Sequence, residues 1–247
     1  MRNKSRNQLQ QDYLNAYAGA AVEGGLTLTA SRSAQGVFFV SEEGKNIRAV
    51  KPYAYLGGEQ DAHHERAMYE LLSGMGFLTL KSLSVERPAG QSTTYHVTEH
   101  IPGLVTLAEI MRTDPSEPSV ASMVDESVRA TAHTMGLLHA RGISLGDAQT
   151  KNFAIIGQDT SQAAVFDLPG GGTPETGHRR TAPFTDDILT FVRSAIHNRY
   201  DNTDKLRQHV LAPYVEGAAG NPVTDLSRGI EHASTLIDTP DVARTAA

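Results

Sequence analysis

Residues 137–156, LLHARGISLGDAQTKNFAII, followed by residues 163–167, AAVFD, are the stretch that decides the fold. They predict a helix end, a loop and a β-hairpin, because polar loop residues separate two apolar runs. Asp147 and Asn152 stand five residues apart on the loop, and Asp167 follows the apolar run directly. Oxygen ligands of this kind suit Mg²⁺, which takes few protein contacts and keeps several waters. The stretch therefore predicts a magnesium site.

Gly146-Asp147, Asn152 and Phe166-Asp167 together resemble the catalytic core of the protein-kinase-like superfamily. The closest likeness is to its atypical branch, which includes aminoglycoside phosphotransferases, RIO-type kinases and lipopolysaccharide kinases. The resemblance implies phosphoryl transfer from ATP, with Asp147 orienting the attacking hydroxyl or accepting its proton. Asn152 and Asp167 would be the ligands of Mg²⁺, so the implied cofactors are ATP and Mg²⁺.

The loop departs from the family pattern at two places. Leu145 stands where the family carries a histidine before Gly-Asp, and Leu168-Pro169-Gly170 stands where Phe-Gly would follow the metal-binding Asp. The three chemical groups are intact, but a polar anchor of the loop is missing. Both an active phosphotransferase and a pseudokinase that binds nucleotide or acts as a scaffold stay open.

A candidate ion pair precedes this region. Residues 26–53 predict an antiparallel meander, and Lys51 on its third strand resembles the lysine that contacts the α- and β-phosphates. The predicted helix 59–75 offers Glu65 and Glu70 as partners, and these lie about 140° apart on a helix, so only one can face inward. The spacing of Glu65 to Gly76 resembles the atypical kinases and favours Glu65, with Glu70 as the alternative.

Two further segments are candidates for nucleotide contacts. Ser31, Ser33 and Gly36 lie between the first two predicted strands, where backbone N–H groups and serine hydroxyls could line phosphates. An ordinary hairpin turn is the alternative at that place. Glu99 and Ile101 belong to a stretch, residues 99–103, that resembles the hinge whose backbone binds the adenine edge.

The C-terminal part predicts mainly helices, including residues 104–112 and 119–140. Lys151 could steady the γ-phosphate or be simply solvated. Asp187, or alternatively Asp186, resembles the helix residue that braces the catalytic loop, and plain helix capping would account for either of them.

Composition excludes several classes of protein. The 247 residues carry a net charge of −6, which argues against a general nucleic-acid-binding surface. They contain no cysteine, so disulfides and thiolate sites are excluded. No apolar run has the length of a membrane span, and the N-terminus lacks the apolar core of a signal peptide. We therefore expect a cytoplasmic location and no membrane insertion.

These observations predict an α+β, bilobal protein-kinase-like fold. Residues 1–103 would form the first lobe, with a leading helix, a five-stranded antiparallel sheet, helix 59–75 and the hinge. Residues 104–247 would form a small, mostly helical second lobe with the catalytic loop 143–152. The expected activity moves the γ-phosphate of ATP to a hydroxyl of a protein serine or threonine or of a small molecule. Its partners would be the nucleotide and that acceptor.

Overall fold

The structure is a computed structural model that describes residues 5, 7–13, 15–16, 27–30, 37–42, 45–114, 116–156, 159–173, 182–219 and 224–239. The chain divides into two compact units. The first unit comprises Met1–Gly76 and Leu80–Ile101, and the second comprises Phe77–Thr79 and Pro102–Ala247.

This division differs from the predicted boundary at residue 103 mainly in the short segment Phe77–Thr79. The backbone N–H of Val165 donates to Leu78 O at 3.0 Å, and Thr79 Oγ1 donates to Val165 O at 2.7 Å. The segment therefore belongs to the second unit, although the chain returns to the first unit afterwards.

A five-stranded antiparallel sheet forms the body of the first unit, in the order β1-β2-β3-β5-β4. Its strands are β1 (Thr27–Ala30), β2 (Phe38–Glu42), β3 (Lys45–Tyr53), β4 (Ser82–Glu86) and β5 (Thr94–Glu99). Val50 on β3 pairs with Val97 on β5, and both are fully buried.

Two helices of the first unit bury apolar side chains. Helical residues 7–13 and 15–16 form α1, whose Tyr13 ring lies 5.4 Å from that of Phe38 and 5.0 Å from that of Tyr95. Helix α2 (Gly58–Gly74) buries Ala62, Glu65, Met68, Tyr69 and Leu72. These positions recur every three or four residues and so form one helical face. A glutamate on that face is unusual, because a buried carboxylate is costly unless it is paired.

The second unit combines a three-stranded antiparallel sheet with helices. The sheet has the order β6-β7-β8, with β6 (Leu104–Thr106), β7 (Phe153–Ile156) and β8 (Asp159–Val165). The helices are α3 (Leu107–Met111), α4 (Pro118–Ala140), α5 (Pro183–His197), α6 (Thr203–Leu206), α7 (Ala212–Gly217) and α8 (Thr224–Asp238). A 3₁₀ turn (Thr150–Asn152) precedes β7, and a π-helical turn (Arg207–Leu211) joins α6 to α7. No helix of the described residues is long and apolar enough to cross a membrane.

The predicted helix 104–112 was wrong at its start. Leu104–Thr106 is a strand, because it finds a partner in β7, and Thr106 then caps α3. The Thr106 hydroxyl accepts from Glu109 N at 3.2 Å, and Glu109 Oε2 accepts from Thr106 N at 3.0 Å, which is a capping box.

Candidate active site

The loop between α4 and β7 holds Asp147 through Asn152. The amide Nδ2 of Asn152 donates to Asp147 O at 2.8 Å and lies 3.3 Å from Asp147 Oδ2. Asn152 is 2% exposed, whereas Asp147 is half-buried. The Asn152 amide thus holds the Asp147 loop in place, and the Asp147 side chain stays partly exposed.

The hairpin β7–β8 brings Asn152 and Asp167 to the same end of its ladder. Phe153 pairs with Val165, and the backbone N–H of Phe166 donates to Asn152 O at 3.1 Å. Asp167 follows with a φ of 60°, in the left-handed region that side chains other than glycine rarely adopt. Such a residue costs free energy that the surrounding contacts must supply, and such residues cluster at functional sites.

The donor set of Asn152 and Asp167 fits a magnesium ion. Asn152 Oδ1 is buried and has no hydrogen-bond partner among the described residues, although a buried acceptor normally has one. A bound cation would satisfy it. The described residues contain no group of three His, Asp or Glu side chains that could hold a metal ion. Mg²⁺ is usually held by only one or two protein carboxylates and keeps several waters, so a pair of oxygen donors is enough to fit it.

Asp187 at the start of α5 braces the loop from inside the second unit. Its carboxylate accepts from Leu145 N at 2.6 Å and from Gly146 N at 3.0 Å. His139 Nε2 lies 3.3 Å from Asp187 Oδ2, and its Nδ1 lies 2.8 Å from the Tyr214 hydroxyl. Asp187 and His139 are both fully buried.

This arrangement distinguishes the two aspartates that the sequence left as alternatives. Asp187 contacts the loop backbone, whereas Asp186 is half-buried in the first turn of α5. Leu145, which stands in place of the family's histidine, is 1% exposed and packs in the core. The loop is therefore held both by apolar packing and by a buried carboxylate.

The loop and the segment after Asp167 are joined backbone to backbone. Ser144 N donates to Gly172 O at 2.9 Å, and Gly172 N donates to Ser144 O at 3.1 Å. Gly146 has a φ of 80°, and a Cβ atom there would lie 2.1 Å from the carbonyl carbon of Gly170. Only glycine fits this position, so the residue before Asp147 is set by sterics as well as by φ.

A second hydrogen-bond network holds the far half of the loop. Thr150 N donates to Ser194 Oγ at 3.0 Å, and Asn198 Nδ2 donates to Thr150 Oγ1 at 3.0 Å. Thr150 is fully buried and Asn198 nearly so. Helix α5 thus holds the loop on both sides of Asp147, through Asp187 at one end and Ser194 and Asn198 at the other.

In the first unit, Lys51 pairs with Glu65. Lys51 Nζ lies 3.0 Å from Glu65 Oε1 and 3.1 Å from Oε2. Glu70, the alternative partner, is exposed and pairs with Arg66 at 2.8 Å. The geometry therefore resolves the choice between the two glutamates in favour of Glu65.

Glu65 is a buried carboxylate that stays ionised. Tyr53 OH donates to its Oε2, Tyr69 OH donates to Oε1 at 2.8 Å, and His96 Nδ1 lies 3.2 Å from Oε2. Burial alone would raise the pKa of Glu65, but the hydrogen bond from His96, the charge of Lys51 and the hydrogen bond from Tyr53 outweigh it. The pKa of Glu65 therefore lies well below its ordinary value.

The remaining predicted site residues are less constrained. Lys151 is exposed on the 3₁₀ turn next to Asn152. Glu99 is exposed, with Oε2 at 3.3 Å from Lys81 Nζ, and its backbone N–H donates to Lys81 O at 2.9 Å. Ile101 is half-buried. Ser31, Ser33 and Gly36 lie outside the residues that the structure describes.

Comparison with known proteins supplies the fold. No protein-family model matches the chain, and no curated protein matches it in sequence. Among solved structures, the chain is similar to WaaP in complex with acyl carrier protein, at 18% sequence identity and a TM-score of 0.55. The match covers 94% of this chain and 96% of the WaaP chain. The fold is protein-kinase-like. The α+β, bilobal, protein-kinase-like fold expected from the sequence is thereby confirmed.

Sequence reasoning missed the groups that support the site within this protein-kinase-like fold. They are Tyr53, Tyr69 and His96 around Glu65, Tyr214 beside His139, and Ser194 and Asn198 beside Thr150. Most are far in sequence from the residue they contact, so no local pattern marks them. The Thr106-x-x-Glu109 capping signal is a local clue in the second unit that went unused.

Proposed function

We propose that the protein is an ATP- and Mg²⁺-dependent phosphotransferase that moves the γ-phosphoryl group to an alcohol. The observation that carries this proposal is the hydrogen bonding of the Asn152 side chain. Its Nδ2 is bonded to the loop of Asp147, and its buried Oδ1 has no partner among the described residues at the ladder end that also carries Asp167. One amide thus links the group that would handle the hydroxyl to the group that would hold the ion.

In the proposed reaction, the acceptor oxygen bonds to the γ-phosphorus while the bond from that phosphorus to the β,γ-bridging oxygen breaks. Asp147 orients the hydroxyl and takes its proton, and ADP leaves. Mg²⁺, held by Asn152 and Asp167, would neutralise charge on the phosphate oxygens. Positioning and electrostatics supply most of the catalysis in this reaction class, which matches a site built from braced, charged groups.

The first unit would contribute the cation for the α- and β-phosphates. Glu65 orients Lys51, whose side chain is 20% exposed and therefore able to reach a ligand. The hinge stretch at Glu99 and Ile101 would bind adenine through its backbone, and Lys151 would steady the γ-phosphate. The phosphate-covering role of Ser31, Ser33 and Gly36 is part of the same proposal. The acceptor is a protein serine or threonine or a small molecule.

Leu145 favours one alternative, a pseudokinase that binds nucleotide or serves as a scaffold without turnover. Its buried side chain occupies the place of a histidine in the resembling families. A buried leucine stabilises the loop by about 1.5–3 kcal/mol but without directional control. If Leu145→His converts an inert protein into an active one, the pseudokinase is the correct description.

The test is transfer from γ-³²P-labelled ATP with Mg²⁺, measured as autophosphorylation and as release of labelled phosphate. Asp147→Asn is the matched variant, because it removes a charge with little change in volume. We expect ATP to raise the melting temperature of both proteins, and turnover only in the wild type. Binding with no turnover in either protein would support the pseudokinase, and equal turnover in both would remove Asp147 from the mechanism.

A further inference from the structure

Glu65 is surrounded by more donors than an ion pair with Lys51 requires. Besides Lys51, three side chains of the described residues reach its two oxygens, namely Tyr53, Tyr69 and His96. They come from β3, from α2 itself and from β5. The carboxylate is therefore tied to two strands and to its own helix by groups other than Lys51.

His96 is the most constrained of these donors. Its Nδ1 lies 3.2 Å from Glu65 Oε2, while its Nε2 lies 2.9 Å from Ser82 Oγ on β4. The ring is 1% exposed and stacks on Tyr69, with centroids 5.4 Å apart and an interplanar angle of 28°. Because an ionised carboxylate can only accept hydrogen bonds, the contact at Glu65 requires the imidazole to present Nδ1–H to the carboxylate.

The position of Lys51 depends on Glu65 more than the position of Glu65 depends on Lys51. Glu65 is fully buried and held by groups of the sheet and helix, whereas the Lys51 side chain is partly exposed and contacts Glu65 at its tip. Removing Lys51 would leave Tyr53, Tyr69 and His96 on Glu65, but removing those three donors would leave the lysine paired with a loosely held carboxylate. The position of the Lys51 ammonium thus depends on the donors behind Glu65.

We propose that His96 is a positioning residue that holds Glu65, and through it Lys51, in the phosphate-binding arrangement before any nucleotide binds. This inference rests on the proposed function for its consequence, nucleotide affinity, but the arrangement itself does not require turnover. The free energy cost of ordering the Lys51 side chain is then met during folding and does not reduce the affinity for the nucleotide.

Two substitutions of His96 separate positioning from general stability. Asparagine can place its amide nitrogen near the site of Nδ1, so His96→Asn keeps a donor for Glu65 and loses the contact with Ser82. Glutamine can place its amide near the site of Nε2, so His96→Gln keeps the Ser82 contact and loses the donor for Glu65. Both replace a buried ring with an amide, and melting curves show whether their stabilities match.

The first readout is steady-state kinetics with ATP. We expect His96→Gln to raise the KM for ATP about 10-fold, the equivalent of one lost hydrogen bond to a charged group, with kcat within about 3-fold. His96→Asn should raise KM less than about 3-fold. In the Lys51→Met background His96→Gln should have little further effect on the affinity for ATP, because both changes act through one ion pair.

The second readout requires no nucleotide. Brief acetylation with acetic anhydride, followed by peptide mass spectrometry, measures the reactivity of Lys51 against that of the exposed Lys81 as internal reference. We expect Lys51 to react several-fold faster in His96→Gln than in the wild type or in His96→Asn. If His96→Gln does not fold, Tyr69→Phe, which removes another donor and keeps the stacked ring, should change the reactivity in the same direction.

The outcomes are distinguishable. Faster acetylation of Lys51 in His96→Gln supports the positioning role even if the wild type proves not to bind ATP, which would contradict only the proposed function. Equal acetylation and equal KM in the two His96 variants would overturn the positioning role, even in an active kinase. Parallel losses that track the melting temperature of both variants would also overturn it and leave His96 a structural residue.

Discussion

Asp187→Asn is the sharpest perturbation of the loop that carries Asp147, because one buried carboxylate accepts from two successive backbone N–H groups. Leu145 N and Gly146 N lie 2.6 and 3.0 Å from its oxygens, and the side chain is fully buried. Asparagine retains one acceptor oxygen and turns an NH₂ group towards the other donor. One hydrogen bond to a charged group is lost and one buried N–H loses its partner, a combined cost of about 3 kcal/mol.

Urea unfolding followed by circular dichroism measures this cost, and the ATP-dependent melting shift reports whether nucleotide binding survives. We expect kcat to fall much more than the affinity for ATP, because the loop positions Asp147 rather than Lys51. Asp186→Asn is the matched control, and a first-turn helix charge is worth at most about 1 kcal/mol. A loss below about 1 kcal/mol in Asp187→Asn, or an equal loss in the control, would refute the reasoning.

Three further predictions concern Asp167 as a ligand of Mg²⁺, the packing of Leu145, and the buried carboxylate of Glu65. Asp167→Asn should abolish Mg²⁺-dependent transfer from labelled ATP without lowering the melting temperature, and wild-type turnover would remove Asp167 from the metal site. Leu145→Ala should lower the free energy of unfolding in urea by about 2–5 kcal/mol, since its side chain is buried, and a smaller change would mean that the loop does not need this packing. Because the folded-state pKa of Glu65 is lowered, its contribution to stability is complete above about pH 5 and is lost as the pH falls below the ordinary pKa of 4.5, by up to about 1.4 kcal/mol per pH unit. Glu65→Gln should flatten that part of the pH–stability curve, and an unchanged slope would contradict the assignment.

The sequence could predict the candidate phosphotransfer residues because they lie in short, contiguous patterns. Asp147, Asn152 and Asp167 are fixed by a loop and the hairpin that follows it, so their spacing reflects local geometry. The protein-kinase-like fold followed from the same stretch together with the strand and helix periodicities before it. Lys51 on the third strand and a glutamate on the next helix could also be picked out by pattern alone.

The supporting groups could not be predicted because tertiary contacts select them. His96 is 31 residues from Glu65, Tyr214 is 75 from His139, and Ser194 is 44 from Thr150. In the sequence alone, a polar residue that is buried beside a partner cannot be distinguished from a polar residue on the surface. The same reason explains the error at Leu104–Thr106. Its apolar residues are compatible with a helix, but the segment is a strand because it pairs with β7.

The short segment Phe77–Thr79 limits how this protein can be dissected. The chain passes between its two units after Gly76, after Thr79 and after Ile101, so no single cut yields two complete pieces. A fragment beginning at Pro102 would lack the backbone that covers β8 at Val165. An uncovered strand edge of that kind recruits other chains, so such a fragment should self-associate. A fragment of the second unit that also carries residues 77–79 as a fused peptide should stay monomeric. Any division of the protein into two fragments should therefore keep residues 77–79 with the second unit.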